Sequence, residues 1–124
     1  MNILGVAPVF QVRDLNDSLK YYKDVLGFIE DFRFGEYAGI RLGEVSLHLC
    51  GHDFHKRPVG GGAAAIFCDE VDRYFAEIKS KGGIVKVEPS DRPYGMRDFV
   101  VLDPDGNHLN FGCASREAAM AAHA

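Results

Sequence analysis

The chain has 124 residues, of which 47% are hydrophobic and 26% are charged, with a net charge of -4 and a pI near 5.7. This length and balance suit one globular domain, and the acidic charge argues against a nucleic-acid partner, which needs a basic surface. No apolar run approaches the ~20 residues of a membrane span, and the first ten residues lack the segments of a signal peptide. Cys50, Cys68 and Cys113 form no C-x-x-C pair, so reduced thiols and a cytoplasmic location are expected.

Residues 1–50 predict a strand, a helix and three more strands. The run 6–12 is rich in valine and phenylalanine, and Pro8 marks the edge or end of a strand. A helix follows and ends at Gly27, which is free to take positive φ. Its N-cap candidates are Asp14, Asn16 and Asp17, and its apolar positions are Leu15, Leu19, Tyr22 and Leu26. Strands are predicted at 28–34, 37–43 and 44–50, separated by Gly-Glu turns.

Residues 63–124 repeat this order after a Gly/Pro-punctuated connection at 51–62. A strand at 63–68 precedes a helix at 69–83, which stops at Gly82. The apolar face of this helix carries Val71, Tyr74, Phe75 and Ile78. Further strands are predicted at 84–89, 98–103 and 108–112. The alanine-rich tail at 115–124 is predicted as a short terminal helix, with a frayed surface extension as the alternative.

The two halves are copies of one strand-helix-strand-strand-strand unit. Asp14 and Asp69, and likewise Gly27 and Gly82, are 55 positions apart (69 − 14 and 82 − 27). One helix covers one face of each sheet, so the other face must curl around something else. The sequence therefore predicts a single α+β domain, 1–124. Its parts are module one at about 4–50, a hinge at 51–62, module two at about 63–113 and a C-terminal tail at 114–124.

Three motifs in this order give the chain a resemblance to a known family. They are V-R-D-L-N-D-S-L-K-Y-Y at 12–22, L-G-F at 26–28 and D-P-D-G-N at 103–107. Together with the repeat, they resemble the vicinal oxygen chelate (glyoxalase/bleomycin resistance protein/dioxygenase) superfamily over nearly the whole chain. The resemblance implies two βαβββ modules that form a curved, partly closed barrel, and it implies a homodimer.

In the metalloenzymes of this superfamily, four histidine or glutamate ligands hold a divalent ion that binds two oxygens of the substrate. The matching positions here are Ala7, five residues before Val12; His48, at the centre of S-L-H-L-C; Ala63, six before Asp69; and Asn110, seven after the first aspartate of D-P-D-G. Alanine offers no ligand atom, and one histidine does not hold a catalytic ion that normally has about three protein ligands. The chain is thus similar to the metal-free branch typified by bleomycin resistance proteins, with no metal and no cofactor.

His48 and Asn110 are predicted to face the cup that the sheets form. Strand alternation places His48 with Ser46 and Cys50, opposite the apolar residues of the same strand. Asn110 falls on one face with His108 and Gly112. Both side chains suit hydrogen bonding to a polar ligand, and His48 also suits acid–base chemistry. A purely structural role is the alternative for each, and a slip in the last strand would pair His48 with His108 instead.

Aromatic and adaptable side chains supply the remaining ligand-binding candidates. Phe32 and Phe34 share one face of the second strand, and Phe54 lies on the hinge; Phe34 and Phe54 are preferred for the lining of the groove. The run before the seventh strand adds the binding candidates Tyr94, Met96 and Arg97. In the alternative, the phenylalanines are core and Arg97 pairs with a nearby aspartate, Asp91, Asp98 or Asp103.

Two function classes remain open from the sequence. The first is a metal-independent protein that sequesters an antibiotic or aromatic metabolite in a dimer cleft, a resistance function whose partners are a small molecule and a second copy. The second is a lyase-like or isomerase-like enzyme using His48 as acid or base, or a non-standard metal site built from His48, His52, His55 or Glu36. His52 and His55 are expected on an exposed loop, where they could take up adventitious metal.

Overall fold

Each half of the chain folds as one strand, one helix and three strands, as the repeat predicts. The computed structural model describes residues 1–122. The first half contains β1 (Val9–Gln11), α1 (Leu15–Asp24), β2 (Ile29–Phe34), β3 (Tyr37–Leu42) and β4 (Val45–Cys50). The second half contains β5 (Ala63–Phe67), α2 (Val71–Ser80), β6 (Ile84–Asp91), β7 (Met96–Leu102), β8 (His108–Ala114) and the tail helix α3 (Arg116–Ala122). Residues 123 and 124 of the predicted tail lie outside the described part.

The strands form two four-stranded sheets of the same topology. The orders are β1-β4-β3-β2 and β5-β8-β7-β6. β1 runs parallel to its neighbour β4, and β5 runs parallel to β8, whereas all other neighbouring strands are antiparallel. The predicted α+β class with two βαβββ units is therefore confirmed. Among residues 1–122, no strand of one sheet is hydrogen-bonded to a strand of the other, so one chain does not form a closed barrel.

The helices α1 and α2 begin and end close to the predicted signals. The Asp14 carboxylate caps α1 by accepting a hydrogen bond from the Asp17 N–H at 2.9 Å. Gly27 and Gly82 take φ values of 82° and 92° just beyond α1 and α2, a conformation that costs glycine little. The α2 helix starts at Val71 rather than at 69, and its N-cap residue makes no side-chain capping bond. No helix within residues 1–122 is long and apolar enough to cross a membrane.

The two modules share one core on the helix-facing sides of their sheets. The fully buried side chains with the largest volumes include Phe10, Tyr22, Leu26, Leu47, Leu49, Ile78, Phe99, Leu109 and Phe111. The opposite faces carry exposed apolar residues instead, among them Phe34 at 86% and Phe67 at 76% exposure. Large exposed apolar faces are unusual in a monomer. One chain therefore buries the apolar faces of its helices in the shared core and leaves two sheet faces open.

The D-P-D-G-N turn joins the modules through a buried polar network. The Asp103 carboxylate is 1% exposed and accepts hydrogen bonds from the Tyr22 hydroxyl at 3.0 Å and the Asn107 amide at 2.8 Å. Asn107 in turn donates to the Gln11 carbonyl at 3.2 Å and accepts from the Gly62 N–H at 2.7 Å. These contacts connect module one with module two. The motif is therefore more than a tight turn, because its side chains fix how the modules pack.

Gly60 provides a test of this joint. Its φ is +79°, and an added Cβ would lie 2.0 Å from the Asp105 carbonyl oxygen. Gly35 also has positive φ (+59°), but a Cβ added there would meet nothing within 4 Å. We expect G60A to lower the free energy of unfolding by about 3 kcal/mol, because left-handed strain and a backbone clash add. The matched G35A should lose about 1 kcal/mol. Urea unfolding of both variants is the measurement, and equal losses would contradict the close approach.

Candidate functional site

The open face of the first sheet carries an aromatic group around His48. Cα partners across the strands align Val9, His48, Gly39 and Phe32 in one row. The Tyr37 hydroxyl lies 2.8 Å from His48 Nδ1, and the Phe32 ring meets the imidazole edge to face at 5.2 Å. Phe32 and Tyr37 stack at 6.3 Å. The three rings therefore form one aromatic cluster, which we call the His48 cluster.

Gly39 makes this cluster possible. A Cβ on Gly39 would lie 2.1 Å from Cε1 of Phe32. The absence of a side chain in the middle of the row lets the Phe32 ring lie flat over the strand. Glycine inside a strand often marks such a close approach. Tyr37 and Gly39 were not among the predicted site residues, although the alternation along β3 places both on the face of His48.

His48 keeps one nitrogen available for a ligand. Tyr37 occupies Nδ1, whereas Nε2 makes no hydrogen bond to any other side chain or backbone group of residues 1–122. Burial raises the pKa of Tyr37, the nearby Cys50 adds to the rise and Arg57 opposes it, so the phenol stays protonated at neutral pH. The half-buried imidazole can thus donate or accept one further hydrogen bond from the open face.

The open face of the second sheet carries a polar group around Asp98. Arg92 donates from Nε to the Asp98 carboxylate at 2.7 Å, and the Tyr94 hydroxyl donates to its other oxygen. Asn110 of the neighbouring strand β8 lies close enough to lower the pKa of this carboxylate. Gly112 lies beside it, and a Cβ there would come within 3.1 Å of Asp98 and 3.3 Å of Met96. We call these residues the Asp98 cluster; Asp98 and Arg92 were not among the predicted binding residues.

Opposing influences act on the pKa of Asp98. Burial alone raises it, but the hydrogen bonds from Tyr94 and Arg92, the positive charge of Arg92 and the nearby Asn110 amide together outweigh burial and leave the pKa below its usual range. A depressed carboxyl pKa contributes stability that is present above the unfolded value of about 3.9 and is lost as the pH falls through the folded value.

We therefore expect D98N to remove part of the acid sensitivity of folding. Wild type should lose stability as the pH falls below about 4, because protonation of Asp98 breaks its charge-assisted bonds. D98N should be less stable at pH 7 and should show a flatter stability profile below pH 5. Thermal unfolding between pH 2.5 and 7 measures the dependence of stability on pH. D53N, which makes the same change on an exposed loop, is the control. An unchanged acid limb in D98N would contradict the argument.

The other predicted binding residues are only partly brought together. Tyr94, Met96 and Asn110 lie in the Asp98 cluster, and Phe34 lies next to Tyr37 at the end of the His48 cluster, 86% exposed. Phe54 is 79% exposed on the connection at 51–62, where its ring packs on His52 at 4.3 Å.

Arg97 is not brought to either cluster. It follows Met96 on β7 and therefore points to the helix side of the sheet. There its guanidinium makes two 2.8 Å bonds to Asp72 of α2 and one of 3.2 Å to Asp91. These ion pairs raise its pKa and, through the bond to Arg97, lower that of Asp72. The arrangement matches the structural alternative in which Arg97 pairs with an aspartate such as Asp91.

The residues at the family's metal positions do not fit a divalent ion. Ala7 and Ala63 carry no donor atom, and Asn110 offers only a neutral amide in place of a carboxylate. His48 could coordinate through its free Nε2, but one histidine does not hold a catalytic ion that normally has about three protein ligands. Within residues 1–122, no three His, Cys, Asp or Glu side chains converge in a way that could hold a metal ion. His52 and His55 lie with ring centroids 5.8 Å apart, and His108 Nε2 is 2.9 Å from Lys86 Nζ.

The chain is similar to known proteins over most of its length. The model of the Glyoxalase/Bleomycin resistance protein/Dioxygenase superfamily matches residues 5–111. A bleomycin resistance protein of Geobacillus stearothermophilus is 27% identical, over 88% of this chain and 96% of that protein. A probable lactoylglutathione lyase of Synechocystis is 30% identical, over 79% and 86%. The solved bleomycin-binding protein of Streptomyces verticillus, in complex with copper(II)-bleomycin, superposes with a TM-score of 0.75 at 26% identity, over 93% and 99%.

Proposed function

Because the chain belongs to the glyoxalase/bleomycin resistance protein/dioxygenase superfamily, we propose that it binds and sequesters a small, partly aromatic molecule without a metal. One observation carries the proposal. Of the four positions at which metalloenzymes of this family hold their ion, two are alanines without a donor atom and one is the neutral amide of Asn110, so only His48 offers a usual metal ligand. The open faces present rings and hydrogen-bonding groups, which suit recognition of a ligand that combines aromatic and polar parts.

The proposed ligand contacts come from both clusters. Phe34 and Phe54 supply exposed aromatic surface, and His48 supplies the free Nε2. Tyr94 offers an exposed ring whose hydroxyl is fixed by Asp98, and Met96 and Asn110 lie beside it. Arg97 supports the site indirectly by tying β7 to α2 through Asp72. The relatives named as bleomycin resistance proteins make an antibiotic of that type the first ligand to test.

We further propose that two copies of the chain form the binding cleft. Within one chain the helix-covered faces pack together, so the His48 cluster and the Asp98 cluster lie on faces turned outward from the shared core. A cleft therefore forms when the open face of module one in one chain meets the open face of module two in its partner. Two-fold symmetry then gives two equivalent clefts. Sedimentation at several protein concentrations tests this; a monomer at micromolar concentration would contradict it.

Calorimetric titration with bleomycin tests the binding function. Tag-free protein, freed of metal and checked by elemental analysis, is titrated with metal-free and with copper-loaded bleomycin. We expect saturation at one ligand per chain and an increase of ~2.7 kcal/mol in unfolding free energy at 100 times the dissociation constant. The proposal would be overturned if bleomycin and a panel of other aromatic antibiotics all gave no heat of binding and no thermal shift.

A second function is favoured by one specific feature, the Tyr37–His48 pair with its free Nε2. Such a pair suits acid–base catalysis near neutral pH, and one relative is described as a probable lactoylglutathione lyase. The enzyme alternative predicts formation of lactoylglutathione from methylglyoxal and glutathione without added metal, abolished in H48A. If the protein binds the ligand stoichiometrically but shows no turnover, only the binding function is supported.

A further inference from the structure

Cys68 and Cys113 lie side by side on neighbouring strands. Phe67 pairs with Gly112 in the parallel ladder of β5 and β8, and the Cys68 N–H donates to the Gly112 carbonyl at 2.9 Å. The next residues in this register are Cys68 and Cys113. Directly paired residues of neighbouring strands point to the same side of a sheet. Both thiols are half-buried and pack against the core on the helix side, away from the two open faces.

The spacing of this pair suits a bridge through one atom better than a disulfide. Neighbouring strands lie ~4.8 Å apart, and the Cα–Cβ bonds of directly paired residues run side by side. A relaxed disulfide needs a Cβ···Cβ distance of about 3.5–4.5 Å. Two sulfurs bonded at about 2.3 Å to one pyramidal soft centre lie about 3.3 Å apart, against about 2.05 Å in a disulfide, so this bridge accommodates a wider Cβ···Cβ separation. A single thiophilic atom can therefore join the two thiols without moving the strands.

The surroundings of the Cys68 thiol favour its protonated form but leave it reachable from the adjacent groove. Burial raises the pKa of Cys68, and the neighbouring Cys113 and Asp69 raise it further, whereas the Glu70 N–H at the start of α2 lowers it. A single thiol of raised pKa is a poor nucleophile. A ligand that bonds to both thiols at once is held more tightly by chelation. If it also carries an oxygen that accepts the two thiol protons, it can react although the thiols are protonated.

A groove beside Cys68 has room for an organic group. Its volume is about 560 Å³, and it lies between the β3–β4 turn and the start of α2. Leu42, Val45, Phe67 and Phe111 supply apolar walls. Glu44, Asp69 and Glu77 line the same groove, so a neutral or cationic group is favoured over an anion. The thiol pair therefore lies next to space that an aryl or alkyl substituent can fill.

We propose that Cys68 and Cys113 form a vicinal dithiol site for a trivalent organoarsenical, with the organic substituent in the adjacent groove. Two S–H bonds and the arsenic–oxygen bonds of the oxide break, and two arsenic–sulfur bonds form. The two protons leave with the oxide oxygen as one water molecule. Arsenic stays trivalent and no electrons are transferred. The two thiols lie on the helix side of the sheet, opposite the His48 and Asp98 clusters, so the thiol site stands whether or not the chain binds an antibiotic.

Intact-mass measurement with phenylarsine oxide tests the site. Reduced wild-type protein should gain one phenylarsenic group and lose two hydrogens. The adduct should withstand excess 2-mercaptoethanol and be released by 2,3-dimercaptopropanol, since only a dithiol competes with a chelate. C68S and C113S should each lose the stable adduct. C50S is the matched control and should keep it, because Cys50 is fully buried with its thiol directed at the His52 carbonyl.

Melting temperatures of all variants establish that they are folded. A stable adduct that persists in C68S or C113S would overturn the proposal, as would its absence from folded wild type or its loss in folded C50S. Treatment with hydrogen peroxide in place of the arsenical adds a second arm. A quantitative intramolecular disulfide between Cys68 and Cys113 would contradict the spacing argument, whereas their failure to couple supports it.

Discussion

Replacing Asp103 with alanine is expected to lower the free energy of unfolding by about 4 kcal/mol, the largest effect of any single side chain in the joint. The carboxylate accepts four hydrogen bonds, from the Tyr22 hydroxyl, the Asn107 side chain and the backbone N–H groups of Asp105 and Asn107. Asp103, Tyr22 and Asn107 are each no more than 1% exposed. Truncation leaves buried donors without acceptors, and each orphaned group costs about 1–3 kcal/mol.

Two further variants separate the network from the turn. Burial, followed by the charge of Asp103, raises the pKa of Tyr22 well above its usual value, so this phenol always acts as a donor. Y22F should therefore cost only about 1–1.5 kcal/mol, because the carboxylate keeps three partners. D53A makes the same chemical change on an exposed loop and should stay within about 0.5 kcal/mol of wild type. Urea unfolding of all three variants gives the loss in free energy of unfolding. A loss in D103A no greater than that in D53A would contradict the role of Asp103 in joining the modules.

Truncation of Phe34 to alanine should weaken binding of the ligand about 30-fold while leaving stability unchanged. An exposed aromatic ring that becomes buried against a ligand contributes about 2 kcal/mol, which corresponds to that change in dissociation constant. Phe34 is 86% exposed in one chain, so its loss should change unfolding by less than about 0.5 kcal/mol. Calorimetric titration with bleomycin gives the ratio of dissociation constants.

M120A is the control for loss of exposed apolar surface. Met120 is 65% exposed on α3 and belongs to neither open face. Its truncation should leave affinity unchanged. Sedimentation of F34A is needed as well, because a broken dimer would also abolish a cleft formed between copies. Unaltered affinity in a dimeric F34A would remove Phe34 from the site.

The order and type of the elements followed from local sequence signals. The capping aspartate Asp14 and the stopping glycines Gly27 and Gly82 occupy the predicted places because their effects act within one helical turn. The observed strand boundaries differ from the predicted ones by up to a few residues. β1 starts only at Val9, just after Pro8, and β7 begins at Met96 because Met96 pairs with Ala114 across the sheet. Pairing partners distant in sequence decide such ends.

The alternation of side chains also placed His48 and Asn110 on the open faces, opposite the buried Leu47, Leu49 and Leu109. The same rule applied to β7 separates Arg97 from Met96. Arg97 was instead grouped with the binding residues by its nearness in sequence to Tyr94. The structure shows its guanidinium bound to Asp72, which is 25 positions away on α2.

The sequence by itself determined the repeat, the α+β class and the lack of metal ligands at Ala7 and Ala63, because each depends on residue identity or short-range periodicity. Only the tertiary structure decided which polar groups share partners. The Tyr37–His48 contact joins two strands, and the joint at Asp103 connects the two modules. Likewise, Cys68 and Cys113 become neighbours only through the parallel pairing of β5 with β8. Such contacts depend on how strands align in space, which no local pattern specifies.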